Sequence, residues 1–143
     1  MNLTTGVEQR VMNSIGSRGM FRFYECKDSS IAFIDNALAE RSISLHTLLN
    51  AHASQPIEGQ IAIFLLIRSE YYYFGYHSSY YDAGYQWHPE FDVLYGTPTS
   101  EPARTAGKLG KTVVYTRSYT HCNVRIVCES NQPCKGTVTM ASR

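Results

Sequence analysis

The residues with most chemical character crowd into one stretch, SEYYYFGYHSSYYDAGYQWHPEFDVLYG, from Ser69 to Gly96. Eight of the eleven tyrosines and the single tryptophan, Trp87, lie between Tyr71 and Tyr95, which makes this the region where a recognition surface would begin. Flat aromatic faces beside Asp, Glu and His suit a sugar: pyranose C–H faces stack on rings, while carboxylates and imidazoles bind hydroxyls by charge-assisted hydrogen bonds. Tyr81, Tyr85 and Trp87 are the stacking candidates, with His88, Glu90 and Asp92 as polar companions. Aromatic runs in small folds are more often core packing, and that use has priority for Tyr71 and Tyr73. For Trp87 and His88 the two uses are balanced.

Carboxylates come next, because glycoside hydrolysis usually employs two of them, separated by about 5 to 9.5 Å. Glu70, Asp82, Glu90 and Asp92 are candidates within the stretch. Glu25, at the end of a predicted strand, stands where barrel enzymes place catalytic groups. If the chain is an enzyme, Glu25 or Glu70 acts as acid/base and Glu90 or Asp92 as its carboxylate partner. Against this, Asp82 and Glu90 sit in Gly/Pro-rich sequence where carboxylates also form turns, and Glu70 can simply end an apolar run.

Other chemistries find less support. Cys122, Cys128 and Cys134 are separated by five intervening residues each, unlike the closely spaced knuckles of structural zinc sites, so no metal is expected. Cys122 and Cys128 are about 20 Å apart if both lie on one strand, too far to bond. Cys128 and Cys134 flank a turn and can bridge if their register faces them; without a signal peptide, free buried thiols are the expected state. No G-x-S-x-G elbow and no phosphate-loop pattern occurs, so no nucleotide cofactor is expected. Thr105 to Lys111 reads as a solvated basic loop.

These groups need elements to position them. Met20 to Tyr24 predicts a short buried strand, after a weak opening helix carrying Val7, Val11 and Ile15. Asp28 or Ser29 is the expected N-cap of a helix in which Ile31, Ile34 and Leu38 share a face. Ser42 is the expected cap of a second helix, lined by Leu45, Leu48, Leu49 and His52 and stopped at Gln55-Pro56. Ile61 to Ile67 is an unbroken apolar run, buried on all sides whether helix or strand; Glu58 before it and Arg68 after it favour a helix. Tyr71 to Phe74 predicts a strand, and His77 to Pro102 a long irregular segment. Thr112 to Thr116, Cys122 to Cys128 and Gly136 to Met140 predict an antiparallel meander with a turn at Ser130 to Pro133.

A length of 143 residues fits one compact domain. The formal charge of +1 gives no broad field for phosphate backbones, so no nucleic-acid partner is expected. The longest apolar run, Ile61 to Ile67, falls far below the roughly 20 residues of a membrane helix, and no secretory signal pattern opens the chain, so no membrane association is expected and the location is open. Charge divides the chain unevenly. Residues 1–103 carry six Lys/Arg against eleven Asp/Glu, and residues 104–143 seven against one. The expected division is thus 1–103 for helices and aromatic strands and 104–143 for the β segment.

Three pieces in order, IAIFLLIRSEYYYFGY, WHPEFDVLYGTPTSEPA and VVYTRSYTHCNVRIVCES, resemble the carboxy-terminal part of glycoside-hydrolase-like (β/α)8-barrel proteins. The likeness covers roughly residues 58–128. It implies an α/β fold: a partial, truncated TIM-barrel-like sector followed by a small antiparallel β meander. A complete barrel takes about 250 residues, so the chain is expected to be a truncated or divergent relative. The function the resemblance implies is carbohydrate-related; the expected contact residues are Tyr81, Tyr85, Trp87, His88, Glu90 and Asp92, without independent catalysis. The first alternative is a glycoside hydrolase with paired carboxylates. The second is an interaction module that completes its sheet with a partner chain, including a second copy, through exposed strand edges.

Overall fold

The computed structural model describes residues 21–26, 30–41, 46–52, 55–77, 87–107 and 111–141. Expectations for Val7 to Ile15 and Met20, for the caps Asp28, Ser29 and Ser42, for Leu45, and for Tyr81, Asp82 and Tyr85 fall outside them. The described chain runs β1 (Phe21–Cys26), α1 (Ile31–Ala39), β2 (His46–His52), α2 (Ile57–Ile67), β3 (Tyr72–His77), β4 (Ala103–Ala106), β5 (Thr112–Ser118), β6 (Cys122–Glu129) and β7 (Lys135–Met140). Among the described residues, a 3-10 turn over Pro89–Asp92 stands between β3 and β4. Strands β1, β2 and β3 form a parallel sheet in that order, and β4 to β7 an antiparallel sheet in sequence order.

Helix α2 is the keystone of the arrangement. Its residues from Gln60 to Ile67 are all buried, so no face is left to solvent. It packs against β5, β6 and β7 on one side and β2 and β3 on the other. Phe64 meets Phe74 of β3 with ring centroids 5.5 Å apart. On the opposite side the backbone comes close to β7: a Cβ on Gly136 would lie 2.7 Å from Ala62 Cβ and 3.1 Å from the Gly59 carbonyl oxygen. An unbroken apolar sequence forms a helix here because the order parallel sheet, helix, antiparallel sheet covers its whole circumference.

This arrangement corrects the expected α/β fold. The described residues form seven strands against two α-helices, and only three strands are parallel. A barrel helix keeps an outer face in water, whereas α2 is roofed by a second sheet. The antiparallel strands are therefore a structural layer over the helix, and the expectation of a partial TIM-barrel-like sector with an appended meander does not hold. The antiparallel sheet also has a fourth strand, β4, which takes in Thr105 and Ala106 of the expected basic loop.

A second correction concerns the helix expected after Ser42. Leu48, Leu49 and His52 belong instead to β2, the central strand of the parallel sheet. Thr47, Leu48, Leu49 and Ala51 are all buried. Successive strand residues point to opposite faces, so consecutive buried positions mark a strand covered on both. The leucine spacing imitates a helical stripe, and pairing on both sides decides otherwise. Within the aromatic run, Tyr72 and Phe74 are buried, while Tyr71 is 47% exposed and Tyr73 half-buried. Tyr71 therefore lies at the surface and outside the core.

Polar side chains tie the layers together. Ser30 caps α1, its Oγ accepting from the Phe33 N–H at 3.1 Å. Arg104 of β4 donates from Nε and Nη2 to both oxygens of Asp35 in α1, and the Tyr115 hydroxyl of β5 donates to Asp35 Oδ1 at 2.6 Å. At the carboxyl end of α2, Arg117 of β5 donates from Nη1 to the carbonyls of Leu65, Leu66 and Arg68, and Tyr119 to that of Leu65. Arg41 adds bonds to the carbonyls of Ile67 and Arg68. Two guanidinium groups thus serve the acceptors that a helix end leaves over, and their charge complements the helix dipole.

The β6–β7 hairpin closes with a Cys128–Cys134 disulfide. Val127 pairs with Lys135, so the next pair toward the turn is Cys128 and Cys134, with Cα atoms 4.2 Å apart. The expectation of free thiols is thereby corrected for these two cysteines. Cys122 is free and buried, and burial pushes its thiol pKa up.

Candidate functional site

The segment from Trp87 to Tyr95 folds over the carboxyl end of β3, and its side chains explain how. Pro89 begins the 3-10 turn, where its fixed φ suits the first helical position, and the Phe91 N–H closes the turn on the His88 carbonyl at 2.9 Å. Phe91 is the anchor: it is buried, with its ring 6.0 Å from Phe74, 5.4 Å from His88 and 5.1 Å from Trp87, all near-perpendicular. His88 also meets Tyr76 edge-on at 5.0 Å. Such edge contacts each contribute about 0.5–1.5 kcal/mol beyond burial, which is enough to hold a short segment in one orientation.

Trp87 is held without being covered. Its indole Nε1–H donates to Asp92 Oδ2 at 2.9 Å and its ring abuts Phe91, yet 55% of the residue remains exposed. Nearby, Val93 and Leu94 are exposed. Behind them lies a cavity of about 200 Å³ lined by Glu58 of α2, Glu90, Val93, Tyr95 and, from β7, Met140. Glu58 accepts the Val138 N–H through Oε1 at 3.2 Å, and Tyr95 donates its hydroxyl to the Glu90 carbonyl at 2.9 Å. Burial, reinforced by the nearby Glu90, pushes Tyr95 up to about 12. The same two causes raise Tyr76.

Of the residues singled out from sequence, Trp87, His88, Glu90 and Asp92 come together on this segment. Glu70 does not join them: it is exposed just before β3, and a six-residue strand puts ~20 Å between the two ends of β3. Glu25 lies in register with Asn50 and Gly75 toward the carboxyl ends of the parallel strands, two strand spacings from β3. Sequence reasoning missed Glu58, Tyr95 and Met140. Glu58 reads as a charge favouring a helix start, and nothing local reveals that β7, some 80 residues later, brings its own residues beside it.

Glu70 instead lines a second cavity of about 490 Å³ at the amino-terminal edge of β3, together with Arg41, Arg68, Ser69, Tyr71 and Arg117. Compared with known proteins, the chain matches no family model, no curated protein and no solved structure. The class defined by this geometry is accordingly a structural one: a helix-centred two-sheet protein with an aromatic and acidic segment across the carboxyl end of its parallel sheet.

Proposed function

We propose that the chain is a carbohydrate-binding protein that contacts sugar through the Trp87–Tyr95 segment. One observation carries the reading: Trp87 is fixed by Asp92 and Phe91 and still exposes more than half of its surface. A pre-oriented indole loses little freedom on binding, so its face is available for stacking at low entropic cost. His88, Glu90 and Asp92 on the same turn supply hydrogen-bonding partners for ring hydroxyls. A glycan-binding screen with the Trp87→Ala variant tests it. Affinity for any captured glycan is expected to fall about fivefold or more, on the order of 1 kcal/mol. Unchanged affinity, or an empty screen, overturns the proposal.

A second reading, glycoside hydrolysis, is favoured by one feature: Glu58 and Glu90 line the same small cavity beside this segment. Two carboxylates at one site are the usual equipment for that reaction. Turnover of a polysaccharide panel, abolished by Glu90→Gln, would select it over simple binding. A panel left intact by the wild-type protein removes it.

A further inference from the structure

We propose that the arginine-lined cavity at the amino-terminal edge of the parallel sheet binds a compact oxyanion, meaning a phosphate, sulfate or carboxylate group. The cavity is about 490 Å³ and lies at the opposite end of β3 from Trp87, so the inference is independent of the sugar reading. Arg117 is 5% exposed and lines it. Its Nε donates to the Ser100 carbonyl and its Nη1 to carbonyls at the end of α2, while its Nη2 makes no hydrogen bond among the described residues. Arg68, on the same wall, has a buried Nη1 that likewise has no partner. Neither guanidinium pairs with a carboxylate among the described residues; Arg41 pairs with Glu101 and Arg104 with Asp35.

A buried cation served only by neutral carbonyls keeps most of its field, and an anion that shares its pocket is strongly favoured. The neighbouring charges deepen this. Burial, more than anything else, lowers the Arg117 pKa, and the like charges of Arg41 and Arg68 act in the same direction, while Tyr119 and Glu101 oppose it. Of the two acidic residues on the wall, Glu101 is engaged with Arg41 at 3.1 Å and Glu70 is exposed. Ser69 adds a hydroxyl donor to the lining. Arg117 keeps Nη2 as its one uncommitted donor, and a guanidinium is the group best suited to an oxyanion.

Inorganic phosphate, sulfate and acetate titrated into the full chain by calorimetry, at ionic strength held constant with chloride, test the assignment. Saturable binding of at least one of them is expected, weakened about tenfold in Arg68→Gln, a loss of one charge-assisted contact. Preference for phosphate and sulfate would identify a tetrahedral group, and preference for acetate a carboxylate. Should Arg68→Gln fail to fold, Arg68→Lys, which keeps the charge and loses the fork, must still weaken binding. The absence of saturable binding for all three anions, or equal affinity in wild type and a folded Arg68 variant, overturns the proposal.

Discussion

Replacing Arg117 by methionine isolates the cap on the central helix. The guanidinium makes four hydrogen bonds, to the carbonyls of Ser100, Leu65, Leu66 and Arg68. Their loss is unequal. Leu65 keeps the Tyr119 hydroxyl and Arg68 keeps Arg41 Nη2, while exposed Ser100 can turn to water. Leu66 is buried and loses the donor it has, at a cost of about 1–3 kcal/mol. Removing a cation from a helix carboxyl end adds up to about 2 kcal/mol in a partly buried setting. Relief of guanidinium desolvation works in the opposite direction, and methionine fills much of the volume. The net expectation is a loss of about 3 kcal/mol, or roughly 10 °C in melting temperature for a domain of this size. Urea unfolding followed by circular dichroism reads it directly, with Arg117→Lys expected to lose about half as much because charge is kept and the fork is not. An Arg117→Met protein as stable as wild type would refute the reasoning, since desolvation would then outweigh the cap.

Two further outcomes follow from the same geometry. Reducing the Cys128–Cys134 bond frees a loop of about seven residues and should lower stability by about 2 kcal/mol, measured as the difference in urea midpoint between oxidised and reduced protein; coincident curves would count against a structural role for the bond. Alkaline pH should destabilise the fold through Tyr95 and Tyr115, both pushed up to about 12 chiefly by burial, with Asp35 and Arg104 also acting on Tyr115. Their folded pKa values exceed the unfolded value near 10, so the folded state holds protons longer. The associated stability is complete below about pH 10 and lost as pH rises toward 12. Unfolding curves with flat stability from pH 9 to 12, or tyrosinate absorbance showing both groups titrating normally, would contradict it.

Much of the local structure was legible. The apolar run Ile61 to Ile67 announced complete burial, and Glu58 and Arg68 correctly favoured a helix. Alternation over Cys122 to Cys128 read as a strand because one face of β6 lies against the core and the other in water, a period of two that sequence displays. The short strand at Phe21–Cys26 and the tyrosine strand were visible in their aromatic content. For the candidate site, Trp87, His88, Glu90 and Asp92 lie within six consecutive residues, so their proximity was encoded by chain continuity alone.

Tertiary structure decided what depends on partners distant in sequence. Leu48 and Leu49 carry a helical spacing, yet β2 is a strand because β1 and β3 pair with it on both sides. The Ile61–Ile67 run could state that it was buried but not that its second cover was β5 to β7, which turned an expected barrel sector into a helix between two sheets. Glu58 joined Glu90, and Arg117 reached Leu65 across 52 residues, through packing with no local signature. Periodicity records which face of an element avoids water. It does not record which surface does the covering, because apolar side chains attract one another without direction, and that choice is made only when the whole chain packs.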